Sequence, residues 1–135
     1  MTRSDLSSLS NDQLVARFVK DGEAQYQALI RFDYKAYDKM IGDMMYITSE
    51  LKWRVPDARS ALLPLLTHPN VSVRLAAARV CMHVSLAQAL PVIREIEANH
   101  VEVIGMEAWE ILSGYARGEY QREWDDGPLR SQKEK

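Results

Sequence analysis

Residues 61–82 read ALLPLLTHPNVSVRLAAARVCM, a run that predicts two short helices folded back on each other around a His68-Pro69-Asn70 turn. Leu62, Leu63, Leu65 and Leu66 form the apolar side of the first helix. Pro64 kinks it, because the ring removes a donor and crowds the carbonyl four residues back. Asn70 is placed to cap the second helix, which carries Val73, Ala76, Ala77 and Val80 on its apolar side and Arg74 near its start.

A weaker copy follows. Ala89-Leu90-Pro91-Val92-Ile93 echoes Leu62-Leu63-Pro64-Leu65-Leu66 at an offset of 27 residues, and the run from Ile104 to Trp109 echoes Val73 to Ala78 at an offset of 31. The difference of four is about one helical turn. Two copies fall short of the roughly three repeats that an independent helical array needs, so the N-terminal half has to supply another layer. Ser10 followed by Gln13 is a capping box for a helix from Asn11 to Arg31. Its stripe is Val15, Phe18, Val19, Gly22, Tyr26, Leu29 and Ile30. Gly22 costs about 1 kcal/mol relative to alanine in a helix, which a close helix crossing would justify. Asp33 caps a second long helix ending near Arg54, with a stripe of Tyr34, Tyr37, Ile41, Met44, Thr48 and Leu51. Met40, Met45, Tyr46, Ile47 and Trp53 widen its apolar surface, so this helix is expected to be covered on two sides. The fold expected is all-α, with about six helices: two long N-terminal helices capping two short stacked pairs. The domain is expected at residues 1–117, followed at 118–135 by a polar tail onto which Trp124 could fold back.

The 135 residues carry a net charge of −2, with acidic and basic residues interspersed. There is no basic stripe of the kind that marks a nucleic-acid binder. The single cysteine, Cys81, excludes an internal disulfide and fits a reducing compartment. The polar N-terminus is unlike a secretory signal, and no run of about eighteen apolar residues suggests a membrane span. A cytoplasmic location is the expectation.

The segments DLSSLSNDQLVARF and ELKWRVPDARSALLPLLTHPNVSVRLAAA resemble the small bacterial family named domain of unknown function 2019. The shared features are an opening at Asp5-Leu6-Ser7 and Leu9-Ser10, an acidic passage at Glu50-Leu51 and Arg54, and a turn at His68-Pro69-Asn70, Val73-Arg74 and Ala77-Ala78. The likeness covers residues 4–112. It implies a HEAT-like fold of stacked antiparallel helix pairs without an established enzymatic activity. Some relatives resemble immunity proteins, encoded beside toxins and neutralising them by binding. Gly105 stands where Arg74 stands in the first copy, so that arginine is not repeated.

Residue types that carry chemistry are sparse. Glu97-Ala98-Asn99-His100 has the E-x-x-H spacing of di-iron bundles, but such a centre needs a second copy and two more inward glutamates. His68, His83 and His100 are 15 and 17 residues apart, which fits no zinc motif. Cys81 shares an apolar helix face with Ala77 and Val80 and reads as a small hydrophobe. The six glycines open no G-x-G-x-x-G run. The residues therefore predict no enzyme, no metal and no cofactor. Arg74 reads first as a structural pairing residue and second as part of a concave binding surface. Asp57 and Arg59 read as capping residues. Of the aromatics, Tyr34, Tyr37, Tyr46, Trp53, Trp109 and Tyr115 are mainly core by spacing, with one or two available as exposed anchors.

The function expected is a non-enzymatic protein-binding module, most concretely an immunity-type inhibitor of a bacterial toxin. The partner would be basic, since the sequence pI is about 5.9 and opposite charge speeds association. The candidate contact residues are Arg74, Arg79, Glu107, Trp109 and Glu110. The alternative is a HEAT-like nucleic-acid-binding or base-repair protein, which clustered cations on successive second helices would favour. Those helices carry Arg74 and Arg79, then Glu107 and Glu110. Neither nucleic acid nor membrane is expected as a partner, and the residues leave the oligomeric state open.

Overall fold

The helix starts are written locally in side chains. Ser10 Oγ accepts from the Gln13 amide at 3.1 Å while Gln13 Oε1 accepts from the Ser10 amide at 2.8 Å, closing the expected capping box. Asp33 Oδ1 accepts from Ala36 N, and Asn70 Oδ1 accepts from the amides of Ser72 and Val73. These caps set the starts of α1 (Asn11–Ile30), α2 (Tyr34–Trp53) and α3 (Val71–Cys81). A 3-10 helix at Arg59–Thr67 precedes α3, and α4 (Leu86–Asn99) and α5 (Val103–Ala116) follow it. The computed structural model describes residues 6–119, and these are all-helical, with six helices and no strand. The expected tail, with Trp124, lies outside the described residues apart from Gly118 and Glu119.

α1 ends on a left-handed residue. Phe32 has φ +58°, its amide donates to Leu29 O, and the next amide, Asp33 N, donates to Ala28 O at 2.9 Å. This is the Schellman geometry, in which glycine is the usual occupant.

The segment around Pro64 departs from the kinked α-helix expected there. It is a 3-10 helix, whose three-residue turn sets Leu62 and Leu65 one above the other on the inner side. Leu62, Leu65 and Leu66 are buried while Pro64 faces out. Pro91, by contrast, sits on the exposed side of an α-helix. Asp57 caps this region, its Oδ1 accepting from the Arg59 amide, while the Arg59 side chain pairs with Asp57 at 2.8 Å rather than capping the helix.

α3 is the centre of the packing, in contact with α1, the 3-10 helix, α4 and α5. Its small residues, Ala77 and Ala78, are completely buried, which lets neighbouring backbones approach. Gly22 of α1 meets it: a Cβ built there would lie 2.8 Å from Val73 Cγ2 and 3.3 Å from Val73 Cα. The expected close crossing is therefore present. The inner face of α1 is Leu14, Phe18, Gly22, Gln25 and Ala28, rotated from the expected stripe. Leu14 is fully buried in the core while Ile30 is 53% exposed.

α2 packs on α1, but the two-sided cover expected for it is not found among the described residues. Tyr34, Met45 and Tyr46 are half or more exposed. The aromatic set accordingly corrects to one buried member, Tyr37. Trp53 and Tyr115 are half-buried, and Trp109 is exposed. The hydroxyl of Ser49 accepts from Trp53 Nε1 at 3.1 Å.

Candidate functional site

Two adjoining cavities open beside α3. The inner one, of about 420 Å³, has α3 as its floor and is walled by α2 on one side and α5 on the other. Phe18, Met44, Leu75 and Ile104 make it apolar, and Lys52, Arg59, Arg79, His83 and Glu107 stand in its lining. The outer cavity, also about 420 Å³, lies along α5 and shares Arg79, Glu107 and Ile111 with the inner one.

The outer cavity gathers four of the five residues singled out in the sequence: Arg79 from α3 and Glu107, Trp109 and Glu110 from α5. Arg117 and Glu119, paired at 2.6 Å, close its far end. Trp109 is 59% exposed and Met106, three residues earlier, 62%. Arg74 is elsewhere. Its Nη1 donates to the carbonyls of His68 at 2.9 Å and Pro69 at 3.2 Å, so it closes its own turn rather than reaching a neighbouring helix pair. His68 holds the same turn, with Nδ1 accepting from the Asn70 amide at 3.0 Å.

Glu107 is the electrostatically unusual member. Burial, and then repulsion from Glu110 three residues on, push its carboxyl up to about 7. Neither a hydrogen bond nor an ion pair with another described residue offsets that burial. Cys81 is sealed in the core, and burial pushes its thiol up to about 11, far from the thiolate that a nucleophile requires. His100, from the E-x-x-H run, pairs with Glu102 at 2.6 Å, which holds the Glu102 carboxyl below its usual range. Among the described residues no three His, Cys, Asp or Glu side chains converge as metal ligands.

Gly105 is explained by contact rather than by chemistry. A Cβ there would clash with the carbonyl oxygen of His100, so the α4–α5 turn excludes the arginine found at the matching place in the first pair. A second cluster joins the ends of the N-terminal half. Arg54 Nη2 donates to the carbonyls of Leu6 at 3.2 Å and Leu9 at 2.6 Å, its Nη1 to Asn11 Oδ1 and its Nε to Glu50 Oε2, both at 2.9 Å. The opening motif and the acidic passage are thus two halves of one contact.

The model of the family named domain of unknown function, DUF2019, matches residues 12–114. The chain belongs to that family. The crystal structure of the protein RPA1889 from Rhodopseudomonas palustris CGA009 is similar, with a TM-score of 0.79 at 31% sequence identity, covering 84% of this chain and 93% of that one. No curated protein matches the chain. In DUF2019 terms, the match spans all five α-helices except the first residue of α1 and the last two of α5.

The sequence does not single out Lys52 or Gln25, and it reads Arg59 as a capping residue and His83 as no zinc ligand, neither of them as cavity lining. The four come from α2, α1, the 3-10 helix and the turn after α3, and no spacing in the chain links them. The detectable signal was a surplus of apolar residues on α2, which marks a wall of the inner cavity.

Proposed function

We propose that this DUF2019 chain is a protein-binding module without enzymatic chemistry of its own, and that its partner docks across the outer cavity and the exposed side of α5. The observation that carries this is the convergence of Arg79, Glu107, Trp109 and Glu110 on one open concavity, with Trp109 standing 59% exposed at it. Exposed tryptophan on a rigid helix is the residue type from which binding hot spots are built. The finer architecture we read is HEAT-like. The 3-10 helix and α3 form one pair, and α4 and α5 form the next, with α3 packed on α4 between them. Such layers present a preformed surface that loses little entropy on binding.

In its most concrete form the module is an immunity-type inhibitor that occludes a bacterial toxin in the cytoplasm. Around the outer cavity Glu110 and Glu119 balance Arg79 and Arg117, and the partly ionised Glu107 tips the lining to the acidic side, which suits a basic partner. Nucleic-acid binding is supported less. Of the two arginines on α3, Arg74 is committed to its own turn.

The test is purification of the tagged chain from its native host beside Trp109→Ala and Glu110→Arg. The expected result is one basic protein retained stoichiometrically by the unmodified chain. Each variant should weaken retention at least tenfold with an unchanged melting temperature, and the partner should be toxic when expressed alone. Equal retention by all three chains, or turnover of a substrate by the isolated chain, overturns the proposal.

A further inference from the structure

The inner cavity, which adjoins the α5 face and shares Arg79, Glu107 and Ile111 with it, has the properties of a small-molecule site. Its volume of about 420 Å³ lies within the roughly 300–1,000 Å³ of ligand pockets, which are typically apolar with a few converging polar groups. Two such groups are present. Gln25 of α1 and Ser72 of α3 are 7% and 4% exposed, line the cavity, and make no side-chain hydrogen bond to another described residue. Buried polar side chains nearly always have partners, and what these two face is the cavity.

The charge in the lining is opposite in sign to that of the whole chain. Lys52, Arg59 and Arg79 line it from three elements, with Glu107 as the carboxyl in the lining, and Lys52 is already engaged in another interaction. That carboxyl sits near 7, so at neutrality it opposes an anion only in part. Arg59 is held by Asp57 at 2.8 Å, whereas Arg79 is exposed and makes no hydrogen bond or ion pair with a described residue. Ser72 and Arg79 are seven residues apart on α3, or about 10 Å along the axis. Between them the floor and walls are Leu75, Ala76 and Met44.

We propose that the inner cavity binds an amphipathic carboxylic acid. Its carboxylate is held at the Arg79 end, its apolar chain lies over Leu75 and Ala76, and a hydrogen-bonding group at its far end reaches Ser72 and Gln25. A carboxylate on a guanidinium makes a charge-assisted hydrogen bond about twice as strong as a neutral one. The polar far end hydrogen-bonds Gln25 and Ser72, whose polar atoms open onto the cavity.

Isothermal titration calorimetry of the full chain at pH 7.5 with 10-hydroxydecanoate, decanoate and decylamine tests this. Both acids should bind one to one. Decylamine should be at least tenfold weaker than decanoate, and 10-hydroxydecanoate several-fold tighter. Arg79→Glu should reverse the order of decanoate and decylamine, and Ser72→Ala should remove the preference for the hydroxyl. Ala76→Trp should abolish binding by filling the cavity, with circular dichroism confirming its fold. Absence of heat with every probe, equal binding of acid and amine, or equal binding of the two acids overturns the proposal. No protein partner enters the experiment, so its failure leaves the reading of the α5 face standing.

Discussion

At the residue scale, backbone geometry and burial each mark positions where the present residue is not the most stabilising one. Phe32 closes α1 with φ +58° and is 75% exposed. It bears the left-handed strain, about 1–2 kcal/mol for a non-glycine residue, with little packing in return. Phe32→Gly should therefore raise stability by about 1 kcal/mol, read from chemical denaturation, while Phe32→Ala should not. The helix glycines behave the opposite way. Alanine is worth about 1 kcal/mol more than glycine in an isolated helix. Gly22→Ala must nevertheless displace Val73, and Gly105→Ala must displace the His100 backbone, so both should lower the melting temperature, Gly105→Ala by more. Glu107 links burial to pH. Its carboxyl rises from an ordinary 4.5 to about 7 on folding. Between those values the folded chain keeps a proton that the unfolded chain has released. Stability from this group is whole below about 4.5 and declines as the pH rises through 7. Glu107→Gln stays neutral throughout. Variant and parent should melt alike at pH 4, and the variant should melt higher at pH 8.

At the element scale, the most consequential contact is the one Arg54 makes at the end of α2. Its guanidinium ties Glu50, Asn11 and the carbonyls of Leu6 and Leu9 together, and Leu6 is fully buried behind it. Arg54→Ala leaves the buried Glu50 without its cation and should cost about 3 kcal/mol. Arg54→Ala with Glu50→Gln should recover part of that loss in a double-mutant cycle, and a purely additive cycle would sink this account. The same contact shows what the sequence could and could not disclose. Caps at Ser10, Asp33 and Asn70 were legible because each depends on residues two or three positions away. The opening motif and the Glu50–Arg54 passage were both visible, but not that they meet, since Arg54 lies 45 or more residues from the carbonyls it binds. The Leu62–Leu66 run was legible as an apolar face, whereas its 3-10 pitch was not, because Pro64 is compatible with either a kink or a tighter turn. The outer cavity could be anticipated from α3 and α5 as amphipathic helices. The inner one could not, because Gln25, Lys52, Ser72 and His83 converge only once α1 and α2 are docked on α3.

At the scale of the molecule, α3 makes the two halves one structure. The buried core is continuous from Leu6 through Phe18 and Ile47 to Val73, Ile96 and Ile111, and the junction is the α1–α3 crossing, where Gly22 admits Val73. A core shared in this way cannot lose one half without exposing apolar surface on the other, which favours all-or-none unfolding. The two candidate sites depend on that union, since Arg79 and Glu107 line both cavities and α2 walls the inner one. Trp53 on α2 and Trp109 on α5 report the two halves separately. In a Trp109→Phe, Trp124→Phe chain and a Trp53→Phe, Trp124→Phe chain, each fluorescence midpoint in urea should coincide with that chain's far-ultraviolet circular dichroism midpoint. Adding Val73→Ala should lower both midpoints together, because the lost methyl groups belong to the contact that joins the halves. A Trp53 transition that precedes the dichroism change, or a Val73→Ala shift confined to one reporter, would show that α1 and α2 fold as a unit of their own. The inner cavity would then be a seam between two units, and not a preformed site within one.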